Sequence, residues 1–125
     1  MGEVIFTDKA PAAVGPYSQA IKVGNVVYCS GQVPLVPETG LLIEGDIKAQ
    51  AGQALKNVKA VLDEIGADVT IFVMTTVFIL DMADCGPVNE LYADFFGDHK
   101  PARSCVAVAE LPKGARVEVE VLVVL

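Results

Sequence analysis

Arg103 is the residue whose position most needs an explanation. It stands in Pro101-Ala102-Arg103-Ser104-Cys105-Val106-Ala107-Val108-Ala109, where nothing else is charged, and Arg116 is the only other arginine. A guanidinium withdrawn from water without a partner is costly, so Arg103 must be paired or must await an anion. Its planar fork of donors suits a small carboxylate, held by two charge-assisted hydrogen bonds. The competing reading is a sheet-edge arginine paired with Glu118 or Glu120. Those two acids alternate with Val117, Val119, Val121 and Val123, so valines take one face of a strand and Arg116, Glu118 and Glu120 the other. A hairpin placing residue 109 opposite 116 puts 105 opposite 120 and 107 opposite 118. Arg103, Cys105, Glu118 and Glu120 then line one face, a cation and two carboxylates suited to acid–base work.

The remaining candidates are weaker. Tyr17 follows Gly15-Pro16 on a stiff loop, as either a substrate-facing hydroxyl or a packing ring. His99, the only histidine, lies beside Lys100 and reads as solvated; no second His or Cys stands at ligand spacing, so no metal site is expected. Cys105 has Val and Ala neighbours and reads as an inert buried thiol. No G-x-G-x-x-G or G-K-[ST] phosphate loop occurs.

The elements that must hold these residues follow from periodicity. Residues 4–6 suggest a short strand, and 19–23 and 26–30 a hairpin across Gly24-Asn25. Gly31 to Gly45 is a long loop with Pro34 and Pro37. Asp46 caps a helix whose apolar residues from Ile47 to Ile65 recur at three- and four-residue steps, ending at Gly66. Residues 70–80 are a β-branched and aromatic strand, with Ile71, Val73, Thr75, Val77 and Ile79 on one face and Phe72, Met74, Thr76 and Phe78 on the other. A second helix over 84–96 has Pro87 in its first turn. Strands at 102–109 and 116–124 close the chain. Both helices link strands that could be parallel, which places them on one face of the sheet. The other face is also apolar, and copies of the same chain are its cheapest cover.

Composition narrows the function classes. At 125 residues and 13.1 kDa the chain is expected to be one domain, residues 1–125, large enough for a core without disulfides. Nine basic against sixteen acidic residues leave −7, which argues against a phosphate-backbone partner. No stretch suits a membrane span or secretory signal, and the three cysteines neither pair fully nor form C-x-x-C. The expectation is a cytoplasmic protein in a reducing compartment.

Several motifs then carry a family likeness. Pro101-Ala102-Arg103-Ser104-Cys105-Val106, with Leu111-Pro112 and Val117-Glu118-Val119-Glu120, resembles the C-terminal signature of the Rid (YjgF) family of enamine/imine deaminases. Ala10 to Gln19 resembles that family's N-terminal loop, Ser30-Gly31-Gln32-Val33-Pro34 the turn after its second long strand, and Val88-Asn89-Glu90-Leu91-Tyr92 its second helix. Val119 stands where the family more often has Ile or Met. The resemblance covers nearly the whole chain. It implies an α+β, chorismate-mutase-like fold with a mixed sheet of about six strands and two helices on one face. It further implies a homotrimer with ligand clefts between subunits. The implied reaction is hydrolysis of 2-aminoacrylate and 2-aminocrotonate, released by pyridoxal-phosphate-dependent dehydratases, to 2-keto acids and ammonia, without metal or cofactor. By the same likeness Arg103 holds the substrate carboxylate, Glu118 positions or activates water, and Tyr17 is a polar contact. Gly31, Asn89 and Cys105 match ligand-contacting positions, with Gly31 and Cys105 acting mainly through backbone groups. Glu120 shares a strand face with Glu118 and remains its rival. A non-catalytic sensor of small carboxylates would use the same arginine, and the ribonuclease activity of some relatives fits the acidic charge poorly.

Overall fold

The computed structural model describes residues 2–125. In chain order the elements are β1 (Glu3–Ile5), β2 (Ala20–Val23), β3 (Val26–Gln32), α1 (Ile47–Asp63), β4 (Phe72–Ile79), α2 (Cys85–Phe96), β5 (Ala102–Ala107) and β6 (Val117–Val124). The six strands form one mixed sheet in the order β1-β2-β3-β6-β4-β5, in which only β4 and β5 run parallel. Both helices pack on the same face, against Val27, Val77, Ile79 and the four alternating valines of β6.

Local chemistry explains the boundaries. The Asp46 carboxylate accepts from the Ala49 N–H at 3.0 Å and satisfies one of the free donors of α1. Ala51, Ala54, Leu55, Val58, Val61 and Leu62 form its buried stripe. At the far end Gly66 takes φ 68°, so that its own N–H reaches Asp63 O and the Ala67 N–H reaches Leu62 O. The β2–β3 turn uses a positive φ at Gly24 alone, with Asn25 outside that region.

Two expectations about the sheet are corrected. β5 and β6 do not form a hairpin: β4 lies between them. Residues 108–116 include Pro112 and two successive left-handed residues, Lys113 and Gly114, and are long enough to carry the chain across β4. β6 then takes the central slot, pairing with both β3 and β4, and buries its valines. The α2 crossover leaves β5 on the outer edge of β4, parallel to it.

The faces of β4 also differ from strict alternation. A register shift between Phe72 and Met74 turns Phe72 to the helix side, where it meets Phe95 and Phe96 edge-on. Phe72 therefore shares a face with Thr75, Val77 and Ile79, while Val73 is exposed. Met74, Thr76 and Phe78 stay on the helix-free face with Leu122, Glu118 and Glu120. On that face Tyr28 is 54% exposed, and Val106 on β5 is 42% exposed.

Candidate functional site

The new strand order separates the candidate residues. Arg103 pairs with Thr75 and Cys105 with Val77, both directed to the helix side; Glu118 pairs with Phe78 and Glu120 with Thr76, both directed away from it. The single face holding Arg103, Cys105, Glu118 and Glu120 does not exist, and neither acid pairs with Arg103. Two clusters replace it.

The first is a cleft of about 380 Å³, lined among others by Tyr17, Gly31, Leu35, Lys113, Glu118 and Glu120. Glu118 is half-buried, and that burial, with the nearby Glu120 charge second, raises its carboxyl above the ordinary range. Gly31 lies at a bulge between Cys29 and Gln32. A Cβ added there would stand 2.7 Å from Glu118 Cδ and 2.7 Å from Oε2, so the glycine makes room for the carboxylate. The Tyr17 ring is half-exposed and its hydroxyl accepts from the Val14 N–H at 3.3 Å.

Gln19, which sequence reasoning passed over, fastens this wall. Its buried amide accepts from the Thr7 N–H at 2.8 Å and donates to Thr7 O at 3.0 Å and Pro11 O at 2.9 Å. The loop carrying Tyr17 is thereby tied to β2. On the opposite wall fully buried Asn57 donates to Val33 O at 3.1 Å and Leu35 O at 2.9 Å, holding the loop after β3. A buried amide in an apolar helix stripe is a signal available in the sequence; its partner is not. Lys113 holds φ 61°, uncommon for a residue with a side chain.

The second cluster lies between α2 and β5. Arg103 Nη1 donates to Asn89 Oδ1 at 2.6 Å, and the guanidinium carbon sits 4.8 Å from the centre of the Tyr92 ring. The Tyr92 hydroxyl is in turn 2.7 Å from Oγ1 of fully buried Thr75. Burial raises the Tyr92 phenol, with Thr75 and Arg103 opposing, so it stays protonated near neutrality. Arg103 is exposed and, among the described residues, has no ion pair. It is propped on one side and open on the other. Tyr92 enters the sequence analysis only as the end of the helix motif Val88 to Tyr92; its place three residues after Asn89, on the same side of α2, is the signal that could have found it.

Cys105 completes this cluster, its Sγ 3.4 Å from that of Cys85. Burial first, then the Cys85 contact, raises its thiol, which disfavours a nucleophilic thiolate. Cys29 is pushed up to about 12 by burial and is inert. His99 is not a solvated loop residue, since its Nε2 lies 2.8 Å from Phe72 O and closes the chain after α2 onto β4. Arg116 meets the Asp84 carboxylate at 2.9 Å and is structural.

The family model described as Endoribonuclease L-PSP matches residues 7–125. The chain belongs to this family, also called YjgF/Rid. A 2-iminobutanoate/2-iminopropanoate deaminase of Mus musculus is 49% identical, covering 98% of this chain and 90% of its own. A RutC family protein of Pyrococcus abyssi is also 49% identical, over 96% of this chain and 94% of its own. Among solved structures, a Rid-family protein of unknown function from Yersinia pestis superposes with TM-score 0.97 at 48% identity, covering both chains fully. TdcF of E. coli, solved with bound serine, gives 0.93 at 42% identity over 98% of each chain. The two-helix, six-strand architecture is thus that of the Rid family. No helix among the described residues of this Rid chain is long and apolar enough to cross a membrane.

Proposed function

We propose that this Rid protein hydrolyses reactive enamine/imine acids, such as 2-aminoacrylate and 2-aminocrotonate, to 2-keto acids and ammonia. The observation that carries the proposal is Arg103, an arginine without an ion pair, held by Asn89 and the Tyr92 face with donors left over for a carboxylate. Deaminases by name among its relatives, at 46–49% identity, support the substrate class, as does a serine-bound structural neighbour.

The chemistry asks for two things at once. The substrate carboxylate needs a fixed anchor, and the imine carbon needs water with a proton acceptor and donor beside it. Once the enamine has taken a proton at carbon, water adds to the C=N carbon and gives an amino alcohol. That intermediate collapses by forming C=O and breaking C–N, and ammonia leaves with a proton. Glu118, with its raised carboxyl, takes the proton from water and returns one to nitrogen. Tyr17 and the backbone of Gly31 orient the reacting end, and the Cys105 backbone contacts the ligand beside Arg103. No metal or cofactor has a step in this scheme.

In one chain the two clusters face opposite sides of the sheet, so a working site takes Arg103, Asn89 and Cys105 from one protomer and Tyr17, Gly31 and Glu118 from its neighbour. A homotrimer of the 1–125 domain, helix-free faces turned inward, supplies such clefts and covers Tyr28 and Val106. The same reading makes the protein a cytoplasmic partner of small imino acids, and the net charge of −7 speaks against a nucleic-acid partner. The test couples purified protein to a threonine or serine dehydratase and follows keto-acid and ammonia release over a panel of amino-acid-derived enamines. Release faster than in buffer, abolished by Arg103→Ala, is the expected result. Saturable keto-acid binding without faster ammonia release would replace the enzyme with a sensor.

A further inference from the structure

Cys85 and Cys105 are the one pair of cysteine thiols in hydrogen-bond contact among the described residues, and the deaminase scheme gives those thiols no part. Cys85 opens α2, one helical turn before Asn89, while Cys105 lies on β5 two residues beyond Arg103 and on the same face. Their Sγ atoms are 3.4 Å apart, and both residues are half-buried, so neither is sealed from small solutes. A disulfide needs the sulfurs about 1.4 Å closer, given its bond length near 2.05 Å. The thiol contact and the Arg103–Asn89 hydrogen bond therefore tie together the same two elements.

We propose that Cys85 and Cys105 form a reversible disulfide that switches the Arg103 cluster off, with a low-molecular-weight disulfide as the oxidant. The Cys85 thiolate attacks one sulfur of the small disulfide, forming a mixed disulfide and expelling one thiol. The Cys105 thiolate then attacks Cys85 Sγ, forming the internal S–S bond and expelling the second thiol. Two protein thiols lose two electrons and two protons, and the small disulfide gains them as two free thiols. The first attack requires an encounter with the oxidant in solution. The second is intramolecular between atoms already in contact, and that proximity offsets the low thiolate fraction of Cys105. Drawing the start of α2 onto β5 moves Asn89 relative to Arg103 and moves the Cys105 backbone, both placed at the substrate carboxylate. In a reducing compartment such a bond is transient and is a sensor instead of a staple.

The effect on turnover rests on the deaminase reading; the bond itself does not. Incubating the full-length protein with cystamine should remove the mass of two hydrogen atoms and yield a peptide joining Cys85 to Cys105. Dithiothreitol should reverse both. Turnover in the coupled assay should fall about a hundredfold on oxidation and recover on reduction. Cys85→Ser should keep basal turnover and lose the sensitivity. A lasting cysteamine adduct without the internal bridge, or equal inactivation of Cys85→Ser, overturns the proposal. Bridge formation in a protein without deaminase activity would leave the redox pair standing and overturn only the catalytic reading.

Discussion

Glu118 lies on a central strand of the sheet, between β3 and β4, behind loops tied down by Gln19 and Asn57. Arg103 lies on the edge strand, exposed, with one hydrogen bond to a helix and an aromatic face beneath it. The first region shapes its group by enclosure: burial moves the carboxyl toward its neutral form, and Gly31 leaves it space. The second presents a permanent charge to the outside, braced but unneutralised. An acid–base group gains from a tuned environment, whereas an anchor for an anion gains from remaining unsatisfied until the anion arrives. The difference fits the division of labour that the proposed site, shared between protomers, requires.

Breaking the exposed side should cost most. Arg103→Ala should lower kcat/KM by about a thousandfold, because a buried substrate carboxylate loses its charge partner. The unfolding free energy, followed by thermal melting, should change by no more than about 0.5 kcal/mol, since the residue is on the surface. Arg103→Lys should recover little, because an ammonium cannot offer the planar fork.

Removing the charge on the enclosed side is the next largest change. Glu118→Gln should cost about a few hundredfold in kcat, a typical share for a general base. The same variant tests the pKa shift through stability. A carboxyl raised in the folded state favours the fold at low pH and penalises it once ionised, so its contribution is lost as pH rises through the folded value. Glu118→Gln should therefore melt higher than wild type at pH 7.5, and the gain should vanish below about pH 4, the ordinary glutamate range. A melting difference that grew toward acid would contradict the burial argument. In the wild type, turnover should fall on the acid side with a midpoint above that range.

Gly31→Ala probes the same carboxylate without altering its charge. The added methyl would displace Glu118 and should cost about a hundredfold in turnover while the Arg103 cluster keeps its affinity for a keto acid, measured by calorimetry. Tyr92→Phe should be mildest. The ring stays under Arg103 but its bond to Thr75 is lost, so about threefold in KM and about 1 kcal/mol in stability are expected. A tenfold drop in kcat with KM unchanged would place the hydroxyl in the chemistry and not in the bracing of Arg103.

The main elements were legible because their signals are local. Asp46 and Gly66 mark α1, the Gly24 turn marks the hairpin, and Pro87 marks the first turn of α2. That Arg103 needs an explanation was legible because a lone charge in an apolar run has few stable ones. The face it occupies was not. Assigning β5 and β6 to a hairpin assumed that sequence neighbours pair, and β6 instead inserted between β3 and β4. The shift in β4 likewise escaped detection, because Phe72 and Val73 are both apolar and alternation cannot say which of them turns inward.

Residue types and spacing alone singled out candidate side chains for chemistry, the helix and strand segments, and an apolar character on both faces of the sheet. Only the tertiary structure decided that Arg103 and Glu118 stand on opposite faces, and that Cys85 meets Cys105. The physical reason is that periodicity encodes how a segment divides its residues between two sides. Which strand lies beside which depends on the summed burial of all of them.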